Sequence, residues 1–144
     1  MPKKRPDHHD AQLVLRVYEL RREPVMRESR QAIAQEFWPE SFEDVLAVTK
    51  REHPLNRPFR QCGTYWEMVY GIVRHGIVNP DYFLESNGEG LFLFAKVAPY
   101  LEEYRDQVSA VAFRNAEWVA TQCRPGRRLF GVVEARVRKL AASR

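Results

Sequence analysis

The stretch that decides the fold is residues 62–76, which read Cys-Gly-Thr-Tyr-Trp-Glu-Met-Val-Tyr-Gly-Ile-Val-Arg-His-Gly. Its large apolar side chains recur every three or four residues, the spacing that places side chains on one face of an α-helix. Gly76 follows at a position where helices commonly end in a left-handed conformation. The stretch therefore predicts a central core helix, with its apolar stripe formed by Cys62, Tyr65, Trp66, Val69, Tyr70 and Val73.

Helical spacing also recurs on both sides of this stretch, between breaks rich in proline and glycine. Residues Glu52–Pro58 contain two prolines and are predicted to be a surface connection. Pro99 is predicted to kink a buried helix or to mark its boundary, and the apolar residues between Val108 and Val119 are predicted to share one helical face. No segment alternates with the period of two that is typical of strands. The sequence predicts an all-α fold, an irregular bundle of six to eight helices in a single domain.

The two ends of the chain differ from its middle. Residues 1–7 are polar and contain two prolines, so we expect a flexible polar tail followed by a helical domain over residues 8–144. Residues 127–142 are predicted to form a basic amphipathic C-terminal helix. From Arg124 to Arg144 there are seven basic residues and one acidic residue, which gives this segment a net charge of +6 and leaves −2 for the preceding residues.

Composition excludes several classes of protein. The chain has 144 residues, of which 44% are hydrophobic, which is enough to bury a core, and it has no run of about 18 apolar residues that would cross a membrane. Its two cysteines lack zinc-site spacing, and we expect both to be reduced thiols in a cytoplasmic protein. No nucleophile motif or phosphate-binding glycine loop is present. We therefore expect no catalytic residue, no metal and no cofactor.

The predicted C-terminal helix is the surface with the most specific candidates for binding. One face is apolar and is predicted to dock on the bundle or to form an oligomer, while the other is basic and suits phosphates or an acidic protein. An ordinary solvated basic face remains the alternative. The candidate contacts for an anion or partner are Arg127, Arg128, Arg138 and Lys139, and the candidate docking stripe is Phe130, Val133, Val137 and Leu140.

Glu67 is the one weak candidate for a pocket. A carboxylate beside large aromatic rings can have a raised pKa, which suits acid–base chemistry. Glu67 lies at the edge of the stripe that contains Trp66, where an ion pair or solvent exposure would explain it equally well. A small enzyme with an acid/base site would need Glu67 or His75 to meet a second polar group in a concave site.

Residues Tyr65–Arg105 resemble a group of bacterial all-helical domains of unknown function. The resemblance is carried by an aromatic-aromatic-Glu start, two spaced glycines, a brief acidic helix and a Pro-Tyr-Leu-Glu-Glu-Tyr-Arg end. It implies a helical fold and no reaction, cofactor or catalytic residue. Members of that group can carry an N-terminal membrane helix, which this sequence does not show. The matching positions are Tyr65, Trp66, Glu67, Gly71, Gly76, Asp81 and Pro99 to Arg105.

The residues favour a non-enzymatic interaction or accessory module, whose partner would be another protein or a second copy of the chain. One alternative is a nucleic-acid-associated protein that uses the basic C-terminal helix together with Lys3, Lys4 and Arg5. Such binding would weaken steeply with salt. The second alternative is the small enzyme with an acid/base site.

Overall fold

The computed structural model describes residues 3–144, and in that range all regular structure is helical, with no strand. The all-α prediction is therefore confirmed. The α-helices in this range are α1 (His8–Arg21), α2 (Pro24–Glu36), α3 (Phe42–Val48), α4 (Asn56–Arg74), α5 (Pro80–Leu84), α6 (Glu89–Val97), α7 (Leu101–Gln107), α8 (Arg114–Thr121) and α9 (Arg124–Ala142).

Helices α6 and α7 are joined without a loop by a 3-10 turn at Ala98–Tyr100. Pro99 lies in this turn, where its missing amide and its ring prevent a continuous α-helix. The helix is thus interrupted at Pro99, where a kink or a boundary was predicted. When α6, the turn and α7 are counted as one kinked helix, the bundle described by the structure has eight helices, within the predicted range.

Several helix starts follow from local sequence. Asp7 caps α1 by accepting hydrogen bonds from the amides of His9 and Asp10, and Ser41 caps α3 through the amide of Asp44. Asn79 caps α5 in the same way, with proline following at the first helical position. Gly76 has a φ of 72°, the left-handed conformation that its position predicts.

Helix α4 lies at the centre of the bundle, with α2 and α8 packed against it and α9 packed across α6 and α8. All six residues of its predicted stripe are buried. Tyr70, which is fully buried, donates a hydrogen bond from its hydroxyl to the carbonyl of Asn87 at 2.9 Å. Edge-to-face and tilted aromatic pairs extend the core beside α4, among Phe37, Phe59, Phe94, Tyr104 and Phe113.

The predicted surface connection Glu52–Pro58 is wrong in its second half, because α4 begins at Asn56. Pro58 lies in the first turn of that helix, where the missing amide costs no hydrogen bond. Asn56 is buried, and its side chain donates to the carbonyl of Val48 at 2.9 Å. The amide of Asn56 thus ties the end of α3 to the start of α4.

The predicted single helical face between Val108 and Val119 is also wrong. Helix α7 ends at Gln107 and α8 starts at Arg114, so Val108 and Val111 lie in a turn and are exposed. Phe113 ends the turn with a φ of 58°, unusual for a residue with a bulky side chain. The guanidinium of Arg105 donates to the carbonyl of Ala112 at 3.0 Å and holds this turn.

The two ends of the chain were predicted to be a flexible tail and a basic helix. Residues 1 and 2 of the predicted flexible tail lie outside the described residues, and the flexibility of the tail stays a prediction. The C-terminal helix begins three residues earlier than predicted, at Arg124, because Pro125 fits within a first helical turn. No helix in residues 3–144 is both long enough and apolar enough to cross a membrane.

Candidate functional site

A cleft of about 590 Å³ lies where the N-terminal segment, the end of α4 and the start of α9 meet. Lys3 and Lys4 come from the N-terminal segment, Arg74 from α4, and Arg124 and Arg128 from α9. The remaining lining residues are Val73, His75, Gly76, Asn79, Pro80, Asp81, Trp118, Gln122, Cys123 and Pro125. Basic side chains from three separate parts of the chain thus surround one concave surface.

A buried carboxylate fixes the N-terminal wall of the cleft. Asp10 is fully buried, and it accepts hydrogen bonds from the amide of Asn79 at 2.8 Å and from the ammonium of Lys3. The side-chain amide of Asn79 donates in turn to the carbonyl of Lys3 at 2.9 Å. Lys3 also pairs with Asp7 at 2.9 Å, and these hydrogen bonds to Asp10 and Asp7 raise its pKa above the ordinary range.

A tight corner between α8 and α9 fixes the opposite wall. Gly126 lies so close to α8 that a Cβ atom at this position would be 2.0 Å from the carbonyl oxygen of Val119. This approach sets where α9 starts and therefore where Arg124 and Arg128 project. Helix α9 has no side-chain cap at its N-terminus, so the positive end of its dipole adds to the local positive potential.

The cations of the cleft are poorly balanced by acids. Lys4, Arg124 and Arg128 are exposed, and no carboxylate in residues 3–144 pairs with any of them. Asp81 is the one acid among the lining residues. The arrangement is suited to attract an anionic group, because several cations share a concave, partly apolar surface.

The structure separates the four predicted anion contacts along α9. All four are exposed, but only Arg128 lines the cleft, whereas Arg127 does not. Arg138 and Lys139 lie near the other end of the helix, where Arg138 pairs with Glu134 at 3.2 Å. The cleft adds Arg74 and Arg124, which sequence reasoning did not assign to a site.

The predicted docking stripe of α9 faces the bundle. Phe130 and Val133 are partly buried and pack against the core, and the ring of Phe130 lies 5.6 Å from that of Phe94. Val137 is buried and Leu140 is half-buried. A role of these side chains in an oligomer stays a prediction.

Glu67 connects two helices. Its carboxylate accepts hydrogen bonds from the amides of Asn115 at 3.1 Å and Ala116 at 2.8 Å, which lie in the first turn of α8. The side chain of Asn115 returns a hydrogen bond to the carbonyl of Glu67 and accepts one from Arg74. Glu67 therefore caps α8 from α4, and this role is sufficient to explain a carboxylate at the edge of the aromatic stripe.

A family model described as Domain of unknown function (DUF4760) matches residues 6–123 of the chain. The chain belongs to this family. The resemblance seen in Tyr65–Arg105 is thus confirmed, and the match extends over α1 to α8. No curated protein and no solved structure matches the chain. Helix α9 lies beyond the DUF4760 match, although it supplies Arg124 and Arg128 to the cleft.

The DUF4760 domain contains a second unusual site, which sequence reasoning missed, around Lys96 of α6. This lysine is only 4% exposed, and its ammonium nitrogen donates to the carbonyl of Ile33 at 2.9 Å. The nitrogen lies 3.9 Å from the centre of the Trp38 ring and 4.9 Å from that of Phe92. The signal in the sequence was a single charge within the apolar run Leu91–Val97.

Proposed function

We propose that this DUF4760 domain is a non-enzymatic protein-interaction module that binds an acidic segment of a partner protein in the basic cleft. The observation that carries the proposal is the convergence of five basic residues on one cleft. Lys3 is already paired with Asp7 and Asp10, but Lys4, Arg124 and Arg128 are exposed and have no carboxylate partner in residues 3–144. Carboxylates of a partner would be attracted electrostatically by these cations and by the positive end of the α9 dipole at its N-terminus.

The shape of the site favours a compact acidic segment over an extended polyanion. A duplex would need phosphate contacts spread along a surface, and the cations of the cleft instead surround a cavity of about 590 Å³ at one end of α9. The partly exposed apolar part of the lining, Trp118 and Pro125, would contact aliphatic or aromatic side chains between the acids of the partner.

We place this module in the cytoplasm. Cys62 and Cys123 are both buried and unpaired, a state that suits a reducing compartment. Burial raises the pKa of Cys62 to about 12, which keeps its thiol protonated and unreactive at neutral pH.

The test is fluorescence anisotropy with a labelled peptide of alternating glutamate and leucine, at low and moderate salt. We expect the double variant Arg124→Glu/Arg128→Glu to weaken binding at least about tenfold, which corresponds to about 1.4 kcal/mol. The matched control is Arg138→Glu/Lys139→Glu, which makes the same change of charge on the same helix outside the cleft and is expected to retain binding.

Two results would overturn the proposal. In the first, both double variants lose the peptide equally, so that net charge and not the cleft governs binding. In the second, a single-stranded or duplex oligonucleotide binds more tightly than the peptide, and both variants weaken it. That outcome would support the nucleic-acid alternative, in which the whole basic face of α9 takes part.

A further inference from the structure

Lys96 lines a cavity of about 420 Å³ between the end of α2, the kinked helix α6–α7 and the last turns of α9. No carboxylate in the described residues 3–144 forms an ion pair with it. A lysine that is buried without a counter-ion is costly to keep charged. Burial, and secondarily the nearby Arg144, lower its pKa to about 7.

The walls of the cavity combine apolar surface with charges. Trp38 forms one wall, and Pro39, Pro99 and Val137 add further apolar surface. The buried Nε1 of Trp38 has no hydrogen-bond partner in the part of the chain that the structure describes. The charged and titratable groups around the cavity besides Lys96 are Glu36, Glu40, Tyr100, Glu134, Arg138 and Arg144.

Arg144 places a positive charge beside the amine. Its guanidinium lies 4.9 Å from the centre of the same Trp38 ring that Lys96 contacts, and it donates to the carbonyl of Gln35 at 3.3 Å. Arg144 has no carboxylate partner among residues 3–144. A ligand with a carboxylate could therefore pair with Arg144 while another part of it reached Lys96.

We propose that Lys96 is a nucleophilic lysine that forms an imine with a small aldehyde bearing a carboxylate, held in this cavity by Arg144. The amine nitrogen attacks the carbonyl carbon, and a C–N bond forms as the electron pair of the C=O bond moves to oxygen. Proton transfer to that oxygen and loss of water then give the C=N bond, so that amine and aldehyde yield imine and water.

The surroundings of Lys96 suit each part of this step. The low pKa supplies neutral amine near pH 7, whereas an exposed lysine is almost entirely protonated there. Tyr100 lines the same cavity, and its hydroxyl is protonated at neutral pH, as tyrosines ordinarily are; burial raises its pKa further. In the proposed step it would donate the proton to the hydroxyl group that leaves as water. The site is independent of the basic cleft, so neither proposal requires the other.

The chain is well suited to a direct test, because it has only five lysines, at positions 3, 4, 50, 96 and 139. The protein is incubated with limiting glyoxylate and sodium cyanoborohydride at pH 7, and peptide mapping by mass spectrometry locates the carboxymethyl group that reduction of the imine leaves. We expect Lys96 to be labelled at least about tenfold faster than exposed Lys50 or Lys139. Labelling at Lys96 no faster than at these two would overturn the proposal.

Two variants separate recognition of the carboxylate from simple reactivity. Arg144→Gln is expected to slow the labelling of Lys96 by glyoxylate more than labelling by uncharged propionaldehyde. Propionaldehyde slows only as far as loss of the Arg144 charge raises the pKa of Lys96. Arg127→Gln, on the same helix but away from the cavity, is the matched control and should alter neither rate. If Arg144→Gln leaves glyoxylate labelling unchanged, or slows both aldehydes equally, the assignment of Arg144 to carboxylate binding is refuted.

Discussion

Replacing Gly126 by alanine tests the close contact between α8 and α9. The new Cβ atom would lie 2.0 Å from the carbonyl oxygen of Val119 and 2.8 Å from its carbonyl carbon, and both atoms belong to the backbone of α8. Because a backbone cannot rotate away as a side chain can, α9 would have to shift by about 1 Å even to reach the closest contacts seen in proteins.

The expected loss follows from the cost of overpacking. Forcing an extra methyl group into a closely packed site costs about 1–3 kcal/mol, and a backbone contact this short belongs at the upper end. Gly131, in the same helix, is the matched control because a Cβ atom there meets nothing within 4 Å. Gly131→Ala should instead stabilise the domain by about 0.5–1 kcal/mol, the ordinary helix preference for alanine over glycine.

Urea unfolding followed by far-ultraviolet circular dichroism measures both variants. We expect opposite signs, with Gly126→Ala losing about 2–3 kcal/mol in the free energy of unfolding and Gly131→Ala gaining a smaller amount. The acidic peptide should also bind more weakly to Gly126→Ala, since Arg124 and Arg128 move with α9. A Gly126→Ala protein as stable as Gly131→Ala would show that the two helices do not approach as closely as described.

Three further substitutions test other contacts by the same unfolding measurement. Glu67→Ala removes the acceptor for two amides of α8 and should lower the free energy of unfolding by about 2–3 kcal/mol. Glu67→Gln should lower it less, because one oxygen remains as an acceptor. Equal losses in the two variants would argue against the cap. Lys96→Met should stabilise the domain by about 1–4 kcal/mol below pH 7. The pKa of Lys96 is about 7 in the folded chain and near 10.5 in the unfolded chain, so the unfolded chain binds more protons between these pH values. Wild-type stability therefore rises with pH in this range, and the stability advantage of Lys96→Met must shrink. A stability gain that is independent of pH would refute the burial of a titrating amine. Asn87→Ala leaves the buried guanidinium of Arg21 without one acceptor and should cost about 1–3 kcal/mol, and a neutral effect would mean that Arg21 is not held by Asn87.

Helices whose signals are local were predictable from the sequence. Asp7, Ser41 and Asn79 cap the helices that follow them, since a side-chain oxygen and an amide two or three residues later interact without help from the rest of the fold. The turn before α8 was not predictable in this way. It depends on Arg105 and on the left-handed backbone of Phe113, although the spacing of its apolar residues matches that of a helical face.

The candidate cleft was only partly predictable for a related reason. Arg128 is a predicted anion contact because the sequence of α9 is amphipathic. Only their positive charge associates Lys3 and Lys4 with that helix in the sequence. Arg74 joins them through tertiary contacts that bring the end of α4 to the start of α9. The signal for Lys96 is a lone lysine within an apolar run, but the run alone does not decide whether its ammonium group is buried or reaches solvent.

Helix α9 lies outside the family match, and yet it contributes residues to both cavities. Helices α1 to α8 form the shared scaffold, whereas α9 completes the walls of both cavities, with Arg124 and Arg128 at one and Val137 and Arg144 near the other. A chain with a different continuation after α8 would therefore lack the α9 wall of both cavities.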